Sequence, residues 1–169
     1  FPITKCDLSG GPNHGTIYVN WSDQRNGVND TDIWLTKSTD NGDTWSTPAR
    51  VNDDAPGKHQ FFTWMDIDQT NGNLHFVFYD RRNYDDRNTD VYIAYSTDGG
   101  ETFENVLISE SAFYPSANVF FGDYTNITAY NGQVRPIWTR LQNGQLSVWT
   151  AIMDVTVGIN EVAEAMPFT

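Results

Sequence analysis

An internal repeat constrains this sequence more than any other feature, because a repeated segment of this length folds into repeated structural units. Residues 30–45 read DTDIWLTKSTDNGDTW and residues 88–103 read NTDVYIAYSTDGGETF, with seven of the 16 positions identical. The preceding segments also match, since residues 15–26 (GTIYVNWSDQRN) align with residues 73–83 (NLHFVFYDRRN). A third, eroded copy occupies residues 132–152. The chain therefore contains three related units, at about residues 1–52, 53–110 and 111–155.

Each copy contains four short stretches in which β-branched and aromatic residues predict strands, bounded by Asn-Gly, Asp-Gly or Gly-Gly turns. In the second copy these stretches are residues 62–68, 74–79, 91–96 and 104–109. Asn71-Gly72 and Asn131-Gly132 separate the first two strands of a copy, where a tight hairpin favours positive φ. Four antiparallel strands per repeat are typical of a β-propeller blade. We therefore predict an all-β fold of three four-stranded antiparallel blades.

The pattern S-x-D-x-G-x-T, followed by Trp or Phe, occurs at the same place in the first two copies. Its glycine can adopt backbone angles closed to other residues, and its aspartate can accept backbone N–H groups and lock a turn. The motif resembles the Asp-box, or BNR repeat, of sialidases and related propellers. We interpret it as structural. Its residues are Ser38, Asp40, Gly42, Thr44 and Trp45 in the first copy, and Ser96, Asp98, Gly100, Thr102 and Phe103 in the second.

The resemblance implies a sialidase-type ring of six blades, of which this chain would supply the three C-terminal ones. The Asp-box turns lie on one rim, whereas the loops between strands two and three and between blades lie on the other, where sialidases have their active site. Sialidases bind a substrate carboxylate through arginines and use a tyrosine nucleophile paired with an acid. The resemblance thus predicts Tyr124 and Asp123 as catalytic residues, and Arg81, Arg82, His59 and Tyr114 as substrate-binding residues.

The arginines also have a structural interpretation. The pair Asp23 and Arg25 recurs as Asp80 and Arg82, and a feature repeated in successive blades favours bracing of each loop over catalysis. Arg81 has no counterpart, because Gln24 stands at that place in the first copy, so Arg81 is the better candidate ligand. The sialidase arginine motif that would lie upstream is absent from this sequence.

The formal net charge of −12 argues against nucleic acid as a partner, because such a surface repels phosphate backbones. The three histidines show no paired spacing typical of zinc ligands. Oxygen-rich acidic loops favour calcium, although their spacing is not that of an EF-hand and a solvated surface is the other interpretation. The calcium ligands predicted on this basis are Asp53, Asp54, Asp85 and Asp86.

Three blades leave two broad apolar faces uncovered, so we predict a partner that completes the ring. The first choice is an N-terminal fragment of the same precursor, because Phe1-Pro2 aligns with Phe62-Thr63 at the start of a blade. A homodimer is the alternative. No apolar run reaches the length of a membrane span. Residues 156–169 resemble the linker before the removable secretion-sorting domain of Bacteroidetes proteins, which implies a secreted or cell-surface protein.

Three functions fit these observations. The leading hypothesis is a sialidase-like glycoside hydrolase that acts on sialylated or related glycans. The alternatives are a non-catalytic propeller that binds glycans or acts as a scaffold, and a propeller appended to another secreted enzyme. The Asp-box fits all three, because a fold does not by itself specify a function.

Overall fold

The computed structural model describes residues 1–155 and 163–167 of the chain. These residues form three antiparallel sheets of four strands, in which sequential strands are neighbours. The strands are β1 (Ile3–Cys6), β2 (Ile17–Gly27), β3 (Asp30–Ser38) and β4 (Ala49–Arg50) in the first sheet; β5 (Gln60–Asp68), β6 (Asn73–Asp80), β7 (Asp90–Ser96) and β8 (Glu104–Leu107) in the second; and β9 (Asn126–Tyr130), β10 (Gln133–Gln142), β11 (Gln145–Asp154) and β12 (Ala163–Pro167) in the third. The predicted all-β fold of three four-stranded antiparallel units is confirmed. Among the described residues, no helix is long and apolar enough to cross a membrane.

Strand β6 shows why the second sheet lies between the other two. Its side chains alternate between two buried clusters: Leu74, Phe76 and Phe78 pack with the first sheet, whereas Val77 and Tyr79 pack with the third. A strand that is apolar on both faces is stable only if both faces are covered. The continuous apolar character of this segment therefore determines its central position.

The predicted Asn-Gly turns differ from one another. Asn131 and Gly132 join β9 to β10 with φ values of 51° and 74°, as a two-residue type I′ hairpin requires. Asn71 and Gly72 belong to a longer loop, in which only the glycine has positive φ, at 82°. The difference arises at the last residue of β5, because the Asp68 carbonyl accepts the N–H groups of both Asn71 and Gly72.

The predicted C-terminal tail, residues 156–169, contributes to the third sheet. Within it, Ala163–Pro167 form β12, which pairs antiparallel with β11 and completes the set of four strands. Hydrophobic periodicity fades in this segment, so the sequence pattern missed this edge strand, which pairs with β11 through the backbone. The remaining residues of the predicted tail lie outside the described part of the chain.

The outward face of the third sheet differs from the corresponding face of the second. Ile137, Leu146 and Val148 are exposed on it. The positions in the second sheet that correspond to Ile137 and Val148 are Val77 and Val91, which are completely buried against the third sheet. The third sheet thus presents to solvent a surface that the preceding sheet buries.

Both turns of the repeated S-x-D-x-G-x-T motif have the same hydrogen-bond pattern. Asp40 accepts the Thr44 N–H at 2.9 Å, and Asp98 accepts the Thr102 N–H at 3.0 Å. Hydrogen bonds from Thr44 and Ser38 lower the pKa of Asp40 to about 2. Each carboxylate is therefore engaged within its own turn, on the rim opposite the β6–β7 loop.

His75 is a buried polar residue on the side of β6 that faces the third sheet. Its exposed fraction is 1%, and neither ring nitrogen has a hydrogen-bond partner among the described residues. Burial lowers the pKa of His75 to about 4, although Asp68 and Asp66 act in the opposite direction. The imidazole is consequently neutral in the folded protein at neutral pH.

We expect His75 to make the protein sensitive to acid. As the pH falls below 6.5, the unfolded chain binds a proton at this residue, whereas the folded protein does so only near pH 4. Between these values the free energy of unfolding should fall by about 3 kcal/mol through this group. When the free energy of unfolding is measured by urea denaturation at several pH values, His75→Leu should reduce its decrease between pH 6.5 and about 4. His14→Gln, on an exposed loop, is the control. If His75→Leu loses as much stability in acid as the unmodified protein, His75 is not the source of the acid sensitivity.

Candidate functional site

A polar pocket of about 300 Å³ opens on the rim opposite the two S-x-D-x-G-x-T turns. Its walls come from three loops: the β2–β3 loop, the connection from β4 to β5, and the β6–β7 loop. The loops belong to two consecutive sheets, so the stacking of the sheets forms the pocket. Its lining residues are Asn29, Gly57, Lys58, His59, Arg81, Tyr84, Asp85 and Asp86.

Arg81 is the best-positioned ligand group in this pocket. Its Nε donates to Thr89 Oγ1 at 3.1 Å, and its guanidinium carbon lies 4.9 Å from the centre of the Phe61 ring. Within the described residues, the terminal nitrogens of Arg81 have no hydrogen-bond or ion-pair partner. Burial and the neighbouring Arg87 lower the pKa of Arg81, while Tyr114 acts in the opposite direction. The side chain is thus fixed along its length and unengaged at its end.

A β-bulge in β5 places the aromatic ring beneath Arg81. The register between β5 and β6 shifts between Phe61 and Trp64, and Phe62 adopts a φ of 53°. Positive φ in a bulky residue other than glycine is strained, and bulges are frequent beside functional sites. The carbonyl of Phe62 accepts a hydrogen bond from Thr125, which ties the bulge to the start of β9. Sequence reasoning missed this bulge, because the sequence carries no glycine or proline there.

His59 is attached to both sheets that form the pocket. Its Nδ1 shares a hydrogen bond with Thr31 Oγ1 at 3.0 Å, and its carbonyl accepts the Arg81 N–H at 3.1 Å. The opposite wall contains Tyr84, whose pKa is raised to about 12 by burial and by the neighbouring Asp90. Tyr84 therefore remains a protonated phenol over the physiological range.

The carboxylates in the pocket already have protein donors. Lys58 Nζ donates to Asp85 at 2.6 Å and to the Tyr84 carbonyl at 2.7 Å. Asp86 accepts the backbone N–H and the side-chain amide of Asn88 at 2.8 and 3.0 Å. The groups left available are consequently the arginine donors rather than the acidic acceptors.

The predicted calcium ligands do not gather into one group. Asp53 pairs with Arg82 at 2.5 Å, and Asp54 accepts hydrogen bonds from Asn52 and Gln60. Across residues 1–155 and 163–167, no three or more His, Cys, Asp or Glu side chains are arranged to hold a metal ion. Asp53 and Asp85 instead link the β4–β5 connection to the β6–β7 loop, whereas Asp54 and Asp86 accept hydrogen bonds within their own loops.

Arg82, for which both substrate binding and loop bracing were predicted, makes the contacts of a brace. It donates to Asp80 at 2.8 Å, to Asp53 at 2.5 Å and to Asn105 at 2.9 Å. Its guanidinium carbon lies 4.1 Å from the centre of the Tyr92 ring. These contacts occupy the guanidinium and are those expected of the bracing role that the repeat favours, while substrate binding by Arg82 stays a prediction.

The predicted catalytic pair lies outside the Arg81 pocket. Tyr124 lines a second cavity of about 320 Å³ together with Trp64, where its ring is 6.4 Å from the indole and 5.1 Å from Phe1. The Tyr124 hydroxyl has no hydrogen-bond partner in the described part of the chain. Asp123, the preceding residue, makes no hydrogen bond to it. Tyr114 is half-exposed on the connection between β8 and β9.

The sequence thus predicted only some of the residues that line the pocket. It selected Arg81 and His59 as ligands, and it assigned Asp85 and Asp86 to a cation site. It did not select Asn29, Lys58 or Tyr84 as binding residues. Their loops are far apart in the sequence, and only the pairing of successive sheets could have indicated that they meet.

Comparisons with known proteins identify the fold. No protein-family model and no curated protein matches the sequence. Among solved structures, an α-L-arabinanase from Penicillium chrysogenum, complexed with arabinobiose, matches 100% of this chain with a TM-score of 0.70 and 16% identity. A polysaccharide lyase matches 99% of the chain with a TM-score of 0.61 and 16% identity, and an α-L-arabinofuranosidase from Lactobacillus brevis matches 90% with a TM-score of 0.53 and 11% identity.

These matches support a β-propeller-like fold. The chain spans only 49%, 40% and 50% of the length of the three proteins, respectively. At such low sequence identities, the likeness shows the fold and does not extend to individual residues.

The two repeated Asp–Arg pairs should differ in their effect on stability. Asp80 has a completely buried side chain, and burial raises its pKa against the influence of Arg82. Arg82→Met leaves this carboxyl without its cation and should lower the free energy of unfolding by about 3 kcal/mol. Arg25→Met, at the exposed Asp23 pair, should cost less than about 1 kcal/mol. Urea denaturation measures both, and equal losses would contradict the distinction.

Proposed function

We propose that this chain is the glycan-binding part of a carbohydrate-active propeller protein, and that the pocket around Arg81 receives an acidic sugar such as a sialic acid or a uronic acid. The observation that carries the proposal is the state of Arg81, which is held by Thr89 and Phe61 while its terminal nitrogens remain unengaged in an open polar pocket. A guanidinium fixed in this way matches the planar geometry of a carboxylate.

The charge distribution in the pocket supports an anionic ligand. Asp85 and Asp86 accept hydrogen bonds from Lys58 and Asn88, so their charges are partly compensated. Arg81 has no such partner among the described residues. A sugar carboxylate can supply the missing acceptor, and its hydroxyl groups can bond with the polar walls.

The structural neighbours favour a carbohydrate ligand over other acids. An arabinanase, a polysaccharide lyase and an arabinofuranosidase share this fold. A common fold does not establish a common substrate, so the neighbours support the ligand class only in combination with the pocket.

Hydrolysis of a sialylated glycan is the second candidate, and one observation favours it. Tyr124, on the same rim, lines an aromatic cavity with Trp64 and is exposed to solvent. A tyrosine nucleophile also needs a carboxylate that acts as a base and accepts its proton. Tyr124 has no such partner among the described residues, so binding is the better-supported function of this chain.

We also propose that further sheets cover the outward faces of the first and third sheets. Another fragment of the same precursor is the preferred source of these sheets. The exposed side chains of Ile137, Leu146 and Val148 support this, because the second sheet buries the corresponding surface. The neighbouring structures are about twice as long as this chain.

Arg81→Ala should remove binding of acidic sugars. Loss of charge-assisted hydrogen bonds should lower the affinity for sialyllactose or trigalacturonate about tenfold or more, as measured by isothermal titration calorimetry. Lys37→Ala is the matched control, because it removes one positive charge from the opposite rim, where Lys37 pairs with Glu101. The same titrations with neutral arabino-oligosaccharides, and a fluorogenic sialoside assay, separate acidic from neutral ligands and binding from hydrolysis. Absence of acidic-sugar binding, or equal affinities in both variants, would refute the proposal.

The proposal of additional sheets predicts an association that depends on the third sheet. Native mass spectrometry should show this chain bound to a companion fragment or to a second copy. Val148→Asp should abolish the complex, because it places a charge in an apolar contact. Val28→Asp, at an exposed position of the β2–β3 loop, is the control. A stable, soluble monomer of the unmodified chain would show that these faces need no cover.

A further inference from the structure

The connector between β8 and β9, residues 108–125, carries aromatic side chains that point in opposite directions. Phe113 is 2% exposed, and its ring lies 5.6 Å from Tyr79 and 5.9 Å from Phe121. The next residue, Tyr114, is 52% exposed. The buried Phe113 and the partly buried Phe121 thus anchor the connector, and the proline that follows Tyr114 restricts Tyr114 to an extended backbone.

Thr89 links this anchor directly to Arg81. The backbone of Thr89 exchanges two hydrogen bonds with Phe113, at 2.9 and 3.0 Å. Its side-chain oxygen accepts the Nε–H of Arg81 at 3.1 Å. Thr89 is completely buried, so one rigid residue sets the positions of both Arg81 and the residue that follows Phe113.

We propose that Tyr114 forms a second sugar subsite, in which its ring stacks on the monosaccharide next to the acidic one held by Arg81. This inference rests on the proposed function and deepens it, since it makes the ligand an acidic oligosaccharide rather than a single sugar. The apolar face of a sugar ring packs on an aromatic face, while the phenol hydroxyl stays in contact with water.

The arrangement distinguishes Tyr114 from Phe120 and Tyr124, the other exposed aromatic residues of the connector. Tyr124 lines the cavity beside Trp64. Phe120 lines a larger, more apolar cavity together with Leu146 and Val148, on the outward face of the third sheet. We assign Phe120 to the surface that further sheets would cover. Tyr114 instead follows Phe113, whose backbone pairs with Thr89 beside Arg81, so a ligand that extends from Arg81 toward this part of the connector meets Tyr114 without crossing the apolar face.

The experiment compares ligands of one ring with longer ligands. Calorimetric titrations with the methyl glycoside of sialic acid and with sialyllactose, and in parallel with methyl galacturonide and trigalacturonate, give the affinity gained from the additional rings. Tyr114→Ala should lower the affinity for the longer acidic ligand about fivefold and leave that for the methyl glycoside unchanged. Tyr114→Phe should keep the wild-type values, because it retains the ring.

Tyr130→Ala is the matched control, because Tyr130 is 69% exposed at the end of β9 on the opposite rim. If Tyr114→Ala weakens the methyl glycoside as much as the longer ligand, or weakens neither, the second subsite is refuted. The proposed function then still stands, provided that Arg81→Ala abolishes binding. If the unmodified protein binds no acidic sugar, the proposed function and this inference fail together.

Discussion

Stacking of one four-stranded sheet on the next is the interaction on which the rest of this structure depends. The apolar contact is fixed in register by polar groups at its edge, since Asp68 at the end of β5 accepts the N–H groups of Asn131 and Gly132 from the third sheet, at 3.1 and 2.7 Å. Between the first two sheets, Lys37 donates to the carbonyl of Gly99 at 2.9 Å. Loops at the opposite rim are held in place by the same stacking. His59 meets Thr31 there, and the Arg81 pocket opens between consecutive sheets.

A cation over an aromatic ring recurs in all three sheets. Arg25 lies over Trp34 at 4.4 Å and Arg82 over Tyr92 at 4.1 Å, as their places in the repeat indicate. In the third sheet the Asp-x-Arg pattern is lost from the sequence, yet the contact persists because Arg140 lies over the indole of Trp149 at 4.9 Å. Arg140 stands where the other two sheets have an aspartate. The third sheet therefore keeps the contact between an arginine and an aromatic ring, but its arginine comes from a different position of the repeat. A residue-by-residue alignment of the copies does not detect this contact.

The sequence predicted the features that depend on neighbouring residues and missed those that depend on contacts between distant segments. Strand number, strand order and the grouping in fours follow from local alternation and turn residues, which act over a few positions. The edge strand β12 was missed, because it has little periodicity and depends on pairing with β11. At the site, the mismatch between Arg81 and Gln24 distinguished a ligand candidate from a brace. Lys58 and Tyr84 could not be recognised, because their contact joins loops of different units and no local pattern records it.

The division between the two rims follows from the number of hydrogen bonds that each charged group already makes. Asp98 accepts hydrogen bonds from Ser96, Glu101 and Thr102, so its carboxylate can bind a ligand only if its own turn is disrupted. Those bonds hold the pKa of Asp98 well below its usual range, against the opposing effect of burial. Arg81 is in the reverse situation, since one hydrogen bond and one ring contact fix it while its terminal donors stay unengaged. A group that is positioned but not satisfied has the most to gain from a ligand. This asymmetry explains how the repeated turns stabilise one rim, and it supports the proposal that the opposite rim binds the ligand.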